Sequence, residues 1–296
     1  MEKGDYHNNY YSNSKQTDFQ EKLDQVNSEL RDQWSTEQLR IQALRQNSNP
    51  DKNFLLNMRY IAGLDLSFSK KDKNKGYAGI VIVDIKNNNK TVYEKYIKVE
   101  ITQPYIPSFL AFREIEHYKK LLNEIKDSKD PKVKQYYPHV ILLDGNGIIH
   151  PRGCGIAVHL GVEMGVPTIG CAKTVYAIDE ISVKSVAKLS EKLGKVGQYI
   201  KLKGKSGKVW GAAVMTYYQE NFDYEYHYYN YPDYPTPNDP IIVSEGHLID
   251  LDTAIDVVLK FSGLNSERTP YPIYLADKFS RKKVFNDDKN SYKSNK

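Results

Sequence analysis

Residues 141–153, Ile141-Leu142-Leu143-Asp144-Gly145-Asn146-Gly147-Ile148-Ile149-His150-Pro151-Arg152-Gly153, end an apolar run on a carboxylate. They then enter a glycine turn that carries a histidine and an arginine. An aspartate at the carboxyl end of a buried strand, bare backbone at Gly145 and Gly147, and the planar cation of Arg152 all suit a phosphate-bearing ligand. A carboxylate, accessible backbone and a phosphate clamp together are what metal-dependent phosphodiester chemistry requires. Asp-Gly is also a common plain turn after a strand, so the segment alone leaves that structural reading open.

The elements that must position these groups follow from the periodicity. Residues 60–68 form an apolar strand containing Asp65, residues 77–85 a second and residues 91–101 a third. The run Pro104-Tyr105-Ile106-Pro107-Ser108 breaks the sheet pattern. It leads into a helix with the stripe Phe112, Ile115, Tyr118, Leu122 and Ile125, and Glu114 lies off that stripe. Residues 139–144 are the buried strand, 155–165 an apolar helix and 167–171 a short strand followed at once by Lys173. Residues 196–202 and 209–218 read as a hairpin, 240–245 as a strand, Gly246-His247 as a turn and 250–261 as a helix. Ahead of all these, residues 17–47 read as one or two amphipathic helices, with Asp18 and Thr36 as N-caps. The order predicts an α/β fold, a ribonuclease-H-like mixed central sheet flanked by helices. No GxGxxG opens a helix after the first strand, which argues against a Rossmann arrangement.

In such a sheet the first and fourth strands are neighbours, so Asp65 and Asp144 could share a magnesium ion, with Glu114 reaching in from the helix. Hard oxygen ligands hold Mg2+, with Mn2+ an alternative, and two ions about 4 Å apart stabilise the attacking and leaving oxygens of a phosphodiester displacement. Taken singly, Asp65 is equally consistent with a hydrogen-bonded structural acid.

Bulk composition narrows the classes. The chain has 296 residues and a net charge of +5 from 42 basic and 37 acidic residues, mild for a nucleic-acid binder. Lysines crowd at Lys70, Lys71, Lys73 and Lys75 and again at Lys201, Lys203, Lys205 and Lys208, in loops that could meet a phosphate backbone or simply be solvated. Cys154 and Cys171 have neither CxxC spacing nor a nearby histidine set, which fits buried thiols in a reducing compartment. No signal pattern or membrane-length apolar run is present, so the expectation is a cytoplasmic or nuclear monomer without membrane contact. Residues 1–16 and 282–296 are too polar to bury much surface and are expected to be disordered tails around a single catalytic domain, 17–281. Within it, residues 217–240 hold eight tyrosines in a low-complexity stretch, read as a surface insertion.

Six segments in order resemble the endonuclease V family of inosine-specific nucleases. They are residues 61–68 (Ile-Ala-Gly-Leu-Asp-Leu-Ser-Phe), 104–114 (Pro-Tyr-Ile-Pro-Ser-Phe-Leu-Ala-Phe-Arg-Glu) and 144–152, then 155–161, 166–174 (Val-Pro-Thr-Ile-Gly-Cys-Ala-Lys-Thr) and 243–247 (Val-Ser-Glu-Gly-His). The resemblance covers about residues 35–280. It implies that Asp65, Glu114 and Asp144 are metal ligands and that His247 supports the metal or the attacking water. Lys173 would stand near the scissile phosphate, offsetting charge in the transition state. Tyr105 would be the wedge that fills the gap left by the flipped base. Gly145, Asn146 and Gly147 would form the base pocket, and His150 and Arg152 would contact phosphate.

The implied activity is cleavage of inosine-containing nucleic acid one nucleotide beyond the base on its 3′ side, leaving 5′-phosphate and 3′-hydroxyl ends. The polar tails and the insertion are those of a eukaryotic chain, and the resemblance implies that eukaryotic-type members favour inosine in RNA where bacterial-type members act on DNA, so RNA is the expected substrate. Three alternatives stay open: a deoxyinosine-specific DNA repair endonuclease, a non-catalytic inosine-RNA binder, and a generic ribonuclease-H-type nuclease. The chain departs from the family pattern in four ways. Ser108 replaces a frequent glycine, Glu116 follows Glu114 closely, residues 271–277 lack a familiar arginine, and the tyrosine insertion has no counterpart.

Overall fold

The computed structural model describes residues 28–47, 53–230, 236 and 238–293. In chain order the elements are α1 (28–44), α2 (Phe54–Asn57), β1 (Tyr60–Phe68), β2 (Lys75–Asp84), β3 (Lys90–Glu100), α3 (Ala111–Lys126), α4 (Pro131–Lys134) and β4 (Val140–Leu143). There follow α5 (Ile156–Met164), β5 (Thr168–Ala172), α6 (Val183–Ser190), β6 (Tyr199–Lys203), β7 (Val209–Val214), α7 (Tyr224–Asn230), β8 (Ile241–Glu245), α8 (Leu251–Leu259) and α9 (Tyr271–Lys293).

The eight strands form one mixed sheet in the order β3-β2-β1-β4-β5-β8-β7-β6. β1, β4 and β5 run parallel at its centre and the outer pairs are antiparallel. β1 reads as a continuous apolar run because both of its faces are covered. Ile61 faces a core shared with α8 and α9, while Ala62 and Leu64 face Ile115, Leu122 and Leu160 of α3 and α5. α9 lies directly on the strand. A Cβ on Gly63 would come within 2.1 Å of the Pro272 backbone, so only glycine permits that approach.

Several expectations are corrected. Residues 282–293 are not a polar tail but the last turns of α9. Tyr77 and Lys98 hold the Asp287 carboxylate at 2.9 and 2.7 Å, Ser69 donates to Asp288 at 2.7 Å, and Val284 is buried. Thr36 is not an N-cap. It lies inside α1 and its hydroxyl bonds back to the Asp32 carbonyl. Asp18 and the tail 1–16 lie outside the described residues. α6 escaped the periodicity, although Ser182 and Ser185 close a reciprocal cap at its start. The tyrosine insertion contains a short helix, α7, with Tyr224, Tyr226 and Tyr229 exposed.

Both lysine clusters carry internal partners: Lys75 pairs with Asp72, Lys201 with Asp252 and Lys205 with Glu180, and Lys208 stacks 3.6 Å from the Trp210 ring centre. The second cluster, in the β6–β7 hairpin, sits at the end of the sheet away from Asp144.

Candidate active site

The β1–β4 register sets the centre. Leu64 pairs with Leu143, so Asp65 and Asp144 stand side by side one residue beyond the last rung. Glu114 enters from the first turn of α3. Contrary to the stripe reading, it is buried, 6% exposed, and the Tyr118 hydroxyl one turn later donates to it at 2.9 Å. Glu116 is not a competitor, since it points to solvent and pairs with Lys119. α9 adds a group that sequence reading passed over, Asp277, whose charge bears on Asp65.

The carboxylates strain against one another. Burial pushes Asp65 up to about 7, with repulsion from Asp277 and Asp144 adding to it, and hydrogen bonds from Ser280 (2.9 Å) and Ser67 (3.1 Å) opposing it. Burial pushes Glu114 up to about 8, with Tyr118 opposing and Asp65 and Asp144 reinforcing. Two cations answer this charge. Lys173, immediately after β5, lies 2.5 Å from Asp144 Oδ2. Burial would lower its pKa, but Asp144, Asp277 and Asp65 together raise it. Arg281 donates to Asp277 at 2.5 Å. Asp65 and Glu114 are buried carboxyls that resist ionising alone, and with Asp144 and Asp277 beside them they are the hard-oxygen donor types a divalent cation stabilises. Among the described residues no three His, Cys, Asp or Glu side chains are yet drawn together closely enough to hold a metal ion, and Lys173 Nζ lies 2.5 Å from Asp144 Oδ2.

His247 does not join this centre. β8 runs antiparallel to β5, so Gly246-His247 lies at the opposite end of the sheet, where its backbone N–H donates to Thr168 Oγ1 at 3.0 Å and its Nδ1 accepts from Gln46 N at 3.2 Å. It is a turn histidine, and the support expected from it is not placed near the acids.

Beside the acids is a small pocket of about 40 Å³, lined by Ser108, Leu110, Gly145, Asn146, Gly155 and Tyr176 among others. Asn146 Oδ1 is buried with no hydrogen-bond partner among the described residues. The loop 145–147 crosses the sheet at Gly170, and Gly147 N donates to Ser244 Oγ at 2.8 Å. A Cβ on Gly147 would meet the Glu245 carbonyl at 2.0 Å. Gly147 thus seats the loop rather than lining the pocket.

Tyr105 projects from the β3–α3 loop, 66% exposed, with the Arg113 guanidinium 5.5 Å from its ring centre. His150 and Arg152, expected at phosphate, instead bind the Ser108 turn, His150 through its ring and Arg152 through Nη2, while Arg152 Nε donates to Gln38. His150 Nε2 donates to the Ser108 carbonyl at 2.8 Å, and burial holds its imidazole neutral, down to about 4. Arg152 stacks 4.2 Å from the Phe109 ring centre and donates to the Ser108 carbonyl and hydroxyl at 3.1 and 2.6 Å. Ser108 itself has φ +68°, the left-handed region that glycine enters freely and a serine only at a cost.

A parallel-centred sheet with carboxylates gathered at the ends of adjacent strands, a lysine among them and a pocket alongside defines a nuclease of the ribonuclease-H-like class. The sequence profile described as endonuclease V matches residues 42–278. Human endonuclease V is 31% identical, aligned over 77% of this chain and 72% of that protein. The Dictyoglomus thermophilum endonuclease V is 34% identical over 76% and 80%. The structure of Ciona intestinalis endonuclease V in complex with a 24mer DNA containing an inosine followed by a ribo-adenosine superposes with TM-score 0.73 at 31% identity, covering 87% of this chain and 99% of that one. This chain belongs to the endonuclease V family, hydrolases that cleave nucleic acid. Among the described residues, no helix is long and apolar enough to cross a membrane.

Proposed function

We propose that this protein is a divalent-metal-dependent endonuclease that cleaves RNA one nucleotide 3′ of inosine, leaving 5′-phosphate and 3′-hydroxyl ends. The observation that carries the reading is the gathering of Asp65, Glu114, Asp144 and Asp277 beside the pocket that Gly145 and Asn146 line. These four would hold Mg2+ or Mn2+, which when bound supplies Lewis-acid stabilisation of the displaced oxygens. Lys173, released from Asp144, offsets charge that grows on the phosphate. Tyr105, exposed at the rim, occupies the stack vacated by the base. The spare acceptor on Asn146 matches the N1–H that hypoxanthine carries and adenine lacks. A ribonucleotide directly after inosine in the Ciona complex supports RNA, because a 2′-hydroxyl at that position is what distinguishes the two nucleic acids.

The test is cleavage of matched single strands, RNA and DNA, each with one inosine or adenosine, in Mg2+. The expected result is that only inosine strands are cut and that RNA is cut faster. Faster cutting of inosine DNA supports a DNA repair role instead. Equal cutting of adenosine strands points to a generic nuclease, and binding without cutting to an inosine-RNA binder.

A further inference from the structure

Gln38 lies on α1, ahead of residue 42 where the family match begins, yet it lines the pocket and is 1% exposed. Its amide is fully engaged. Nε2 donates to the Ser108 carbonyl at 3.0 Å and to the Cys154 carbonyl at 3.1 Å, and Oε1 accepts from Arg152 Nε at 2.5 Å. The orientation is forced, since the flipped amide would press its oxygen against two carbonyls. The Ser108 carbonyl thereby receives three donors, from Gln38, His150 and Arg152, while its N–H donates to the Tyr176 hydroxyl at 3.2 Å. α1 is fixed beside this turn by Trp34, stacked on Phe112 with ring centres 4.7 Å apart, and by Ile41 buried against Ile148 and Val158.

A serine at φ +68° is strained, and strain of this kind persists only where the surroundings over-determine it. The three donors supply that constraint. We propose that Gln38 is a positioning residue of the base pocket: its amide holds Ser108 left-handed and fixes Arg152 behind the wedge loop, so the pocket wall is formed before nucleic acid arrives. This rests on the reading that the pocket receives the base. Without the clamp the wall is competent for only a fraction of the time, and apparent affinity falls by that fraction while the chemistry at the acids is untouched.

The experiment compares wild type, Gln38→Met and Gln38→Met/Ser108→Gly on a single-inosine RNA strand in Mg2+, with amide hydrogen exchange of residues 106–110 read on the same proteins without nucleic acid. Gln38→Met is expected to raise KM about 30-fold, equivalent to about 2 kcal/mol at about 1.4 kcal/mol per tenfold, and to change kcat less than about threefold. Exchange at 106–110 should quicken about tenfold, as a loop released from its constraint opens more often. Glycine adopts positive φ freely, so the double variant should recover most of the lost KM, which repair of a merely unstable fold would not achieve. If Gln38→Met fails to fold, Gln38→Glu keeps an acceptor for Arg152 but offers no donor to Ser108 and should show the same KM effect. An unchanged KM in the folded single variant, or no recovery in the double, overturns the proposal. If wild type cuts no inosine strand, the functional reading fails instead, and unchanged exchange at 106–110 would still overturn the clamp on its own.

Discussion

Replacing Asp65 by asparagine should stabilise the protein in the absence of divalent metal, and do so more at high pH. The Asp65 carboxyl is buried, and burial with repulsion from Asp277 and Asp144 pushes it up to about 7, above its ordinary 3.8. The folded state therefore holds the proton more tightly than the unfolded chain. Stability falls as pH rises from about 4 and levels off once pH passes about 7. Between pH 5 and pH 8.5 that amounts to about two pH units of unequal protonation, on the order of 3 kcal/mol. Asparagine keeps an oxygen to accept the Ser67 and Ser280 hydroxyls and does not titrate. The gap in unfolding free energy between Asp65→Asn and wild type should thus widen by about 2–3 kcal/mol from pH 5 to pH 8.5, or roughly 5–10 °C in Tm for a chain of this size. Thermal and urea unfolding in EDTA at the two pH values read it directly. A gap that stays constant, or narrows at high pH, would refute the argument that Asp65 is held in an electrostatically unfavourable site awaiting a cation.

Other outcomes follow from the same geometry. Lys173→Met, which removes the cation beside Asp144, should lower kcat about 100-fold or more in single-turnover assays on inosine strands, with little change in strand binding. Tyr105→Ala should leave Tm within about 1 °C, since the ring is exposed, but reduce kcat/KM on inosine strands by about tenfold to 100-fold, one to two stacking contacts' worth. His247→Ala should lower Tm, because the Gln46 N–H loses its imidazole acceptor in a buried turn, yet keep kcat within about threefold; a loss comparable to Lys173→Met would place His247 in the chemistry after all. Asp287→Ala should cost about 0.5–1 kcal/mol and speed hydrogen exchange in residues 282–293 by loosening the end of α9 from Tyr77 and Lys98.

The parts of this fold legible in the sequence are those whose neighbours repeat a simple pattern. β1 is apolar along its length because two helical layers cover it, and its bounds match the expected 60–68. The pairing of Asp65 with Asp144 follows from strand order alone. Glu114 shows where periodicity misleads: the carboxyl shares the buried side of α3, so the apolar stripe does not predict its direction, whereas the motif Phe-Arg-Glu does. Asp277 was visible in principle, because Asp277, Ser280 and Arg281 share one face at helical spacing, but the polar composition beyond residue 281 obscured the helix. What sequence could not supply is long-range hydrogen bonding. Arg152 looks like a phosphate ligand until Ser108, 44 positions away, is found at its Nη2, and His247 looks catalytic until the β5–β8 register carries it to the far end of the sheet.

The most direct test of the central claim is single-turnover cleavage of one RNA strand carrying a single inosine, by wild type, Asp65→Asn and Asp277→Asn, in Mg2+ and in EDTA, with the cut mapped to the nucleotide. The account predicts one cut, one nucleotide 3′ of inosine, by wild type in Mg2+ only, with both variants slowed at least about 1,000-fold, about 4 kcal/mol of lost transition-state stabilisation. Cutting that survives EDTA, or wild-type rates in both variants, would contradict it.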